Sequence, residues 1–422
     1  MRILAYTSPA RGHLYPLVPI LDELAGRGHE IAVRTLASEV ELMAGRGFDA
    51  APLAPAIEAI EHDDYRARTP PAKLRRGMAT FGARSAHEVA DLRAAIAGQR
   101  PDALLVDCMT WGATAVAEEW GGPWAQWFPF PLAMTSRDVP PFGPGLKPAA
   151  GAAGRARDRL LRPVLVGTLK RACFPTLNAT RVSVGVRPFD TTDEMFGVAP
   201  LLLYMTAEPF EYSRSDWPAS VRMVGPCCWE PSVTPPEWLD EIARPLVLAT
   251  TSSEFQDDGR LVRTALDALE DEDLDVVATM PAARLSGGVP ANARVEAFIP
   301  HAPILKRAVC AITHGGAGVT QKALASGVPV CVVPFGRDQL EVARRVEVAD
   351  AGTRLRAQRL NPERLREQVR IAMTKREGAR RVADGYAATG GAFAAADAFE
   401  ALAAARSDPA ASAAASRIGP EL

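Results

Sequence analysis

A strand-then-helix rhythm runs through this chain, halts across residues 224–244, and then starts again. Each apolar run is short and continuous rather than alternating, as in residues 103–106 and in Leu246–Thr250. Continuous runs of that length read as strands covered by helices on both faces, which is the signature of a parallel sheet. The halt, Gly-Pro-Cys-Cys-Trp-Glu-Pro-Ser-Val-Thr-Pro-Pro-Glu, packs four prolines and a glycine into one short linker. The expected fold class is therefore α/β with two doubly wound domains, one on each side of a proline-rich connection.

Arg2–Tyr6 is an apolar strand, residues 14–25 carry helical spacing at Leu14, Leu17, Val18, Leu21 and Leu24, and residues 29–35 return as a strand. Residues 103–106 form a further buried strand ending at Asp107, and residues 125–130 the next, with aromatics at its C-terminal end. Residues 140–163 open with Pro-Pro-Phe-Gly-Pro and break the rhythm, so a mobile loop followed by a helix is expected there. Past the linker, Leu246–Thr250 reads as a strand, residues 257–269 as a helix, and Asp275–Thr279 and residues 295–298 as strands.

Composition fits two soluble domains with full cores: 422 residues, 45.1 kDa, 48% hydrophobic residues and a formal charge of −2. The absence of a basic excess argues against a nucleic-acid partner. Cys108, Cys173, Cys227, Cys228, Cys310 and Cys331 show no CxxC spacing, and Cys310 and Cys331 sit in strand-like runs as small buried thiols. A reducing cytoplasm is the expected setting. No apolar run is long enough to cross a bilayer, and the N-terminus enters a strand at once, so neither signal peptide nor stable membrane insertion is expected.

The chemistry concentrates in the run from Ile312 to Val330, which reads as strand, glycine-rich turn, short helix and strand. Gly315, Gly316 and Gly318 let backbone N–H groups approach a ligand, the helix start adds partial positive charge, and His314 offers a side-chain donor. Glycines alone would fit any tight strand-to-helix turn. His314 beside three of them, with Asp338 and Gln339 downstream, favours a phosphate site. A second histidine, His13, follows the first strand at the edge where doubly wound sheets bind ligands, and an imidazole suits general-base work near neutral pH.

His314-Gly-Gly-Ala-Gly318, Gly327-Val-Pro329 and Val333-Pro-Phe-Gly-Arg-Asp-Gln339, in that order and spacing, resemble the nucleotide-sugar signature of family 1 glycosyltransferases. The resemblance extends through Val295-Glu-Ala-Phe-Ile-Pro-His301 and back to Ser8-Pro-Ala-Arg-Gly-His13, and is nearest to the bacterial branch that tailors antibiotics and macrolides. It implies the GT-B architecture, two Rossmann-like domains facing across a cleft. Residues 1–224 would bind the acceptor, 225–244 would link, 245–385 would bind the nucleotide sugar, 386–406 would cross back to the first domain, and 407–422 would fray.

The resemblance implies an inverting transfer with His13 as base and Asp107, at the end of its strand, as the carboxylate that orients it. Ser252 and Ser253 would sit near phosphates, Phe298, the Ile299 backbone and His301 at the nucleobase, and His314 with the amides of Gly316, Gly318 and Val319 at the diphosphate. Asp338 and Gln339 would hold sugar hydroxyls. Met109, Trp111, Trp127, Phe128 and Phe142 are the aromatic and apolar residues placed to line an acceptor pocket, although scattered aromatics also serve as core. The co-substrate would be a dTDP- or UDP-sugar, the acceptor a small lipophilic secondary metabolite, and neither cofactor nor catalytic metal is expected; a homodimer is left open.

One departure concerns the nucleotide. Relatives that hold the ribose hydroxyls with a glutamate place it eight residues after the signature histidine, where this chain has Lys322. A deoxyribose donor tolerates that loss, which favours dTDP. Other readings of the same architecture remain: a nucleotide-sugar epimerase, a transferase to a lipid-linked acceptor using the basic segment of residues 66–84, or an inactive auxiliary subunit that binds sugar nucleotide. A nicotinamide dehydrogenase is disfavoured because Gly316-Ala-Gly318 lacks the third glycine.

Overall fold

The computed structural model describes residues 1–149 and 151–407. The tail expected beyond residue 407 lies outside the described residues. Among those described, the chain forms two all-parallel sheets. The first contains β1 (Arg2–Tyr6), β2 (Glu30–Thr35), β3 (Asp49–Pro52), β4 (Ala103–Asp107), β5 (Trp124–Phe128), β6 (Leu201–Tyr204) and β7 (Val221–Met223), in the order β3-β2-β1-β4-β5-β6-β7. The second contains β8 (Leu246–Thr250), β9 (Asp275–Thr279), β10 (Ala293–Glu296), β11 (Ala308–Thr313), β12 (Val330–Val332) and β13 (Gly352–Arg354), in the order β10-β9-β8-β11-β12-β13.

The helices that matter to the site are α1 (Arg11–Gly26), α2 (Pro70–Gln99), α3 (Trp111–Trp120), α4 (Ala152–Val184), α5 (Arg260–Leu269), α6 (Ala317–Ala325), α7 (Gln339–Val348), α8 (Pro362–Met373), α9 (Arg376–Ala387) and α10 (Gly391–Ser407). They cover both faces of each sheet. Leu14, Leu17, Leu21 and Leu24 of α1 pack on one face of the first sheet, and Leu92 of α2 with Ala113 and Val116 of α3 on the other. In the second sheet α6, α7 and α9 cover one face, and α5 and α8 the other. This two-sided cover is why Ile3, Leu4, Ala5 and Tyr6 are all buried in sequence.

The last helix does not stay with the second sheet. Ala395, Ala396, Phe399 and Ala403 of α10 enter the core beneath α1, and Arg27 reaches both Asp397 and Glu400 at 2.7 Å.

Three local expectations shift. The helix expected from residue 257 begins at Arg260, because Asp257 adopts φ 58° and the Asp258 carboxylate accepts the Ser252 N–H at 2.8 Å, shaping a turn first. The strand expected over 295–298 ends at Glu296, leaving Phe298 beyond it. The helix expected within residues 140–163 starts at Ala152 and continues to Val184.

Candidate active site

In each sheet the strand order reverses once, between β1 and β4 and between β8 and β11. Loops leaving the C-terminal ends of strands on either side of such a reversal diverge and open a crevice. His13, in the first turn of α1 after β1, and Asp107, the last residue of β4, occupy that position in the first sheet. Ser252, after β8, and His314, after β11, occupy it in the second.

His13 Nδ1 lies 3.0 Å from both oxygens of Asp107. The carboxylate also accepts the Ser8 N–H at 3.0 Å, the Ser8 hydroxyl at 2.9 Å and the Met109 N–H at 2.8 Å. Burial opposes ionisation of Asp107, but His13 and these donors outweigh it and hold its pKa below the usual carboxylate value. Burial likewise opposes a charge on His13, yet Asp107 overcomes it, with Glu254 and Asp338 of the other half adding to the effect, so the imidazole pKa is raised. The carboxylate claims Nδ1–H, which assigns the free lone pair to Nε2. Trp127, fully buried, donates its indole N–H to the His13 carbonyl at 3.0 Å and fixes the backbone beneath the ring.

Across the cleft, Gly315 adopts φ 93°, and a Cβ there would meet Val332 at 2.9 Å. A Cβ on Gly316 would stand 2.4 Å from His314 Nε2, so only glycine lets the imidazole fold over the turn. Gly318 has open space where a Cβ would be. The N-terminus of α6 has no side-chain cap, so its first-turn amides are available to an anion. Burial pushes His314 down to about 4 against the pull of the Thr250 carbonyl, and its Nδ1 is buried without a hydrogen-bond partner. At neutral pH this side chain is an uncharged hydrogen-bonding group rather than a cation.

The other residues expected at the donor divide. Phe298 is 52% exposed beside buried Ile299, and Ser253 is exposed. Burial lowers His301 to about 4, and its Nε2 contacts the Thr279 hydroxyl at 3.0 Å, so it braces β9. Ser252 is buried and turned into its own loop, its hydroxyl accepting the Glu254 N–H at 3.1 Å. Asp338 stands half-buried at the N-cap of α7, its pKa raised by burial. Val319 is half-buried in the first turn of α6. Gln339 is tied into the fold on most of its polar atoms. It is buried, its Oε1 accepts the Phe335 and Gly336 N–H groups at 2.7 and 3.0 Å, and its Nε2 donates to Gln256 Oε1 at 2.6 Å. The side chain thus braces the turn before α7 through its Oε1 and one of its two amide N–H groups.

Of the residues expected to line an acceptor pocket, Met109 and Phe142 are half-buried. Phe128 and Trp111 are corrections: Phe128 is 2% exposed, packed with Leu132, Met134 and Phe196, and Trp111 is buried with Cys173, Phe174 and Leu177. Both back the wall rather than line it. Phe130 is half-buried, with its ring centroid 5.5 Å from that of His13. It lies two residues beyond β5, and the run of aromatics there was the signal that could have found it.

Charged contacts that cross the cleft were also missed. Arg337, at φ 54°, donates to Asp64 and to Glu254, each at 2.9 Å. Lys73 donates to the Phe335 carbonyl at 3.4 Å, and Tyr65 meets Phe255 edge-on at 5.0 Å. The basic segment of residues 66–84 thus directs Lys73 toward the other half and Arg84 to the Ile60 carbonyl, where Arg84 is buried. No helix of the described residues is long and apolar enough to cross a membrane.

His13, Asp107 and Cys108 form one group among the described residues whose ligand-type atoms fall within 4.8 Å of one another. The Asp107 oxygens are already engaged by His13, Ser8 and Met109, and burial together with that carboxylate keeps the Cys108 thiol protonated. That donor set is poorly suited to a metal.

Residues 263–402 match the family described as erythromycin biosynthesis protein CIII-like, C-terminal domain. The chain is 32% identical over 421 residues to the 4'-demethylrebeccamycin synthase of Lentzea aerocolonigenes, covering 95% of this chain and 99% of that one. The crystal structure of the glycosyltransferase of kitacinnamycin superposes with a TM-score of 0.74 at 24% identity, covering 95% and 98% of the two chains. That of glycosyltransferase VinC in complex with dTDP superposes with a TM-score of 0.67 at 23% identity, covering 96% and 100%. The fold of these structures is the fold of this chain.

Proposed function

This chain belongs to the GT-B glycosyltransferases of antibiotic biosynthesis, and from that membership we propose an inverting enzyme that moves a sugar from a nucleoside diphosphate, dTDP before UDP, to a hydroxyl of a small lipophilic natural product. The observation that carries the reading is the pair at 3.0 Å, His13 Nδ1 on Asp107, at the strand reversal of one sheet, with the uncapped glycine turn of α6 at the reversal of the other.

In this reading His13 Nε2 takes the proton of the acceptor hydroxyl as its oxygen attacks the anomeric carbon. The bond from that carbon to the diphosphate breaks on the opposite face, so the configuration inverts. Asp107 stabilises the imidazolium that forms. The amides of Gly318 and Val319, with His314, take up the negative charge of the departing diphosphate. Phe130 and Met109 offer the acceptor an apolar approach to the base.

The preference for dTDP has its own support. Lys322 pairs with Glu230 of the linker at 2.8 Å, and Glu230 also accepts the N–H groups of His301 and Ala302 at 3.0 and 2.7 Å. Lys322 puts an ammonium where those relatives have a carboxylate, and the Glu230 carboxylate is already engaged by Lys322 and two backbone N–H groups. The test is a thermal-shift titration with dTDP, UDP, GDP, ADP and inorganic phosphate. A ligand at a hundred times its dissociation constant adds roughly 2.7 kcal/mol. A shift with dTDP that exceeds the UDP shift is the expected result; no nucleotide shift at all would remove the donor site.

A further inference from the structure

Both ends of the segment that follows Phe130, whose ring lies 5.5 Å from that of His13, are tied to a single helix of the other half. The N–H groups of Gly143 and Gly145 donate to the same oxygen, Glu341 Oε1, at 2.7 and 2.9 Å, and Arg344 Nε donates to the Gly145 carbonyl at 2.8 Å. Gly145, at φ 60°, lies so close to α7 that a Cβ would stand 2.2 Å from the Leu340 carbonyl oxygen. The second Glu341 oxygen accepts from Arg345 Nη1 at 3.0 Å, and Arg345 grips Glu211 through Nε at 3.0 Å and Nη2 at 2.8 Å. Glu211 in turn accepts the Tyr204 hydroxyl, whose oxygen accepts the Leu132 N–H at 3.0 Å. Leu132 and Gly143 bracket one stretch of chain, and Phe142 stands within it.

Glu341, Arg345 and Glu211 have side chains 3%, 5% and 4% exposed. Stability alone does not require such a cluster, since apolar residues of similar volume often pack at no greater free energy. What the cluster supplies is a fixed position. The helix whose N-cap is Asp338 holds that segment one turn later through Glu341.

We propose that Glu341 is a positioning residue that sets acceptor selectivity, seating the segment of residues 142–145 against α7 at a defined place relative to the donor sugar. The inference rests on the reaction proposed above. A loosened seat would displace Phe142 from the pocket while leaving the glycine turn of α6 untouched.

The experiment compares wild type with Glu341→Gln and with Gly145→Ala, which disturbs the seat without touching a buried charge. Each is titrated with dTDP and then assayed with dTDP-glucose against an array of phenolic, polycyclic aromatic and macrolide aglycones. Both variants are expected to keep the dTDP shift, to raise the acceptor KM by about tenfold, as for a displaced hydrogen bond to a charged group, and to change the rank order of acceptors. Hydrogen exchange over residues 140–146 should quicken in both. Unchanged acceptor KM, rank order and exchange would overturn the proposal. So would a parallel rise in donor and acceptor KM with a lowered melting temperature, the mark of a merely structural role. Wild type that neither shifts with dTDP nor transfers glucose sinks the proposed function first, before any variant is compared.

Discussion

The His13 imidazole and the Asp107 carboxylate, 94 positions apart in the chain, meet at 3.0 Å because β1 and β4 are neighbours at the reversal of the first sheet. Asp107 is fully buried, whereas the His13 side chain keeps 19% of its surface open. In the proposed mechanism the orienting group is thus sealed and the reacting group reachable.

Removing the base should therefore separate chemistry from binding. His13→Ala is expected to lower kcat by roughly 10²- to 10⁴-fold while the dTDP thermal shift persists. Turnover at the wild-type rate would remove His13 from the mechanism.

The rate should also report the charge of that ring. The proposed base would act when neutral, and the pKa of His13 is raised by Asp107, so kcat/KM should climb with pH through a midpoint above the ordinary histidine value of about 6.5. In Asp107→Asn the opposing burial is no longer outweighed, and the midpoint should fall to lower pH together with the plateau rate. A pH–rate profile in which Asp107→Asn leaves the midpoint in place contradicts this coupling.

Asp338 and Gln339 should behave as different kinds of residue. Gln339→Ala leaves the buried partners of its amide unpaired and is expected to cost about 1–3 kcal/mol in urea unfolding. Asp338→Asn should reduce turnover of a dTDP-sugar with little change in unfolding free energy. Equal destabilisation by both substitutions would refute the distinction.

Glu88 offers a test away from the cleft. Burial raises its pKa to about 8, against the Gly112 N–H that it accepts at 2.8 Å. The folded chain holds this proton more tightly than the unfolded one, so stability is lost as pH rises from the unfolded value, about 4.5, toward about 8. Glu88→Gln should thus gain over wild type as pH rises, by something on the order of 1–3 kcal/mol near pH 8, and little near pH 4. Melting curves at both ends of that range check it, and a gain independent of pH would contradict it.

The parts of the fold legible in the sequence are those where one side chain type repeats on both faces, such as Leu246–Thr250, or where a glycine has no substitute, such as Gly315 and Gly316. His13, Asp107 and His314 were legible because strand ends mark the sheet edge before any partner is known. β3, with the sequence Asp-Ala-Ala-Pro, carries no strand-forming residue and owes its place to pairing with β2. Phe128 and Phe130 have the same chemistry. Only packing tells the one buried against Phe196 from the one facing His13. Arg337 needed a partner 273 positions away, which no local pattern can supply. The segment of residues 140–149 reads as a free loop by composition, and Glu341 holds it because a distant helix presents a carboxylate there.

The return of α10 beneath α1 bears on anyone who would join the first half of this chain to the second half of another such enzyme. A single crossover in the proline-rich connection would carry Ala395, Ala396, Phe399 and Ala403 away with the donated half and set a foreign helix in the recipient's interior. Arg27 and His29 would then face a sequence without Asp397 and Glu400. A working hybrid of this chain calls for two junctions, the second ahead of Gly391, so that the first half keeps its own closing helix.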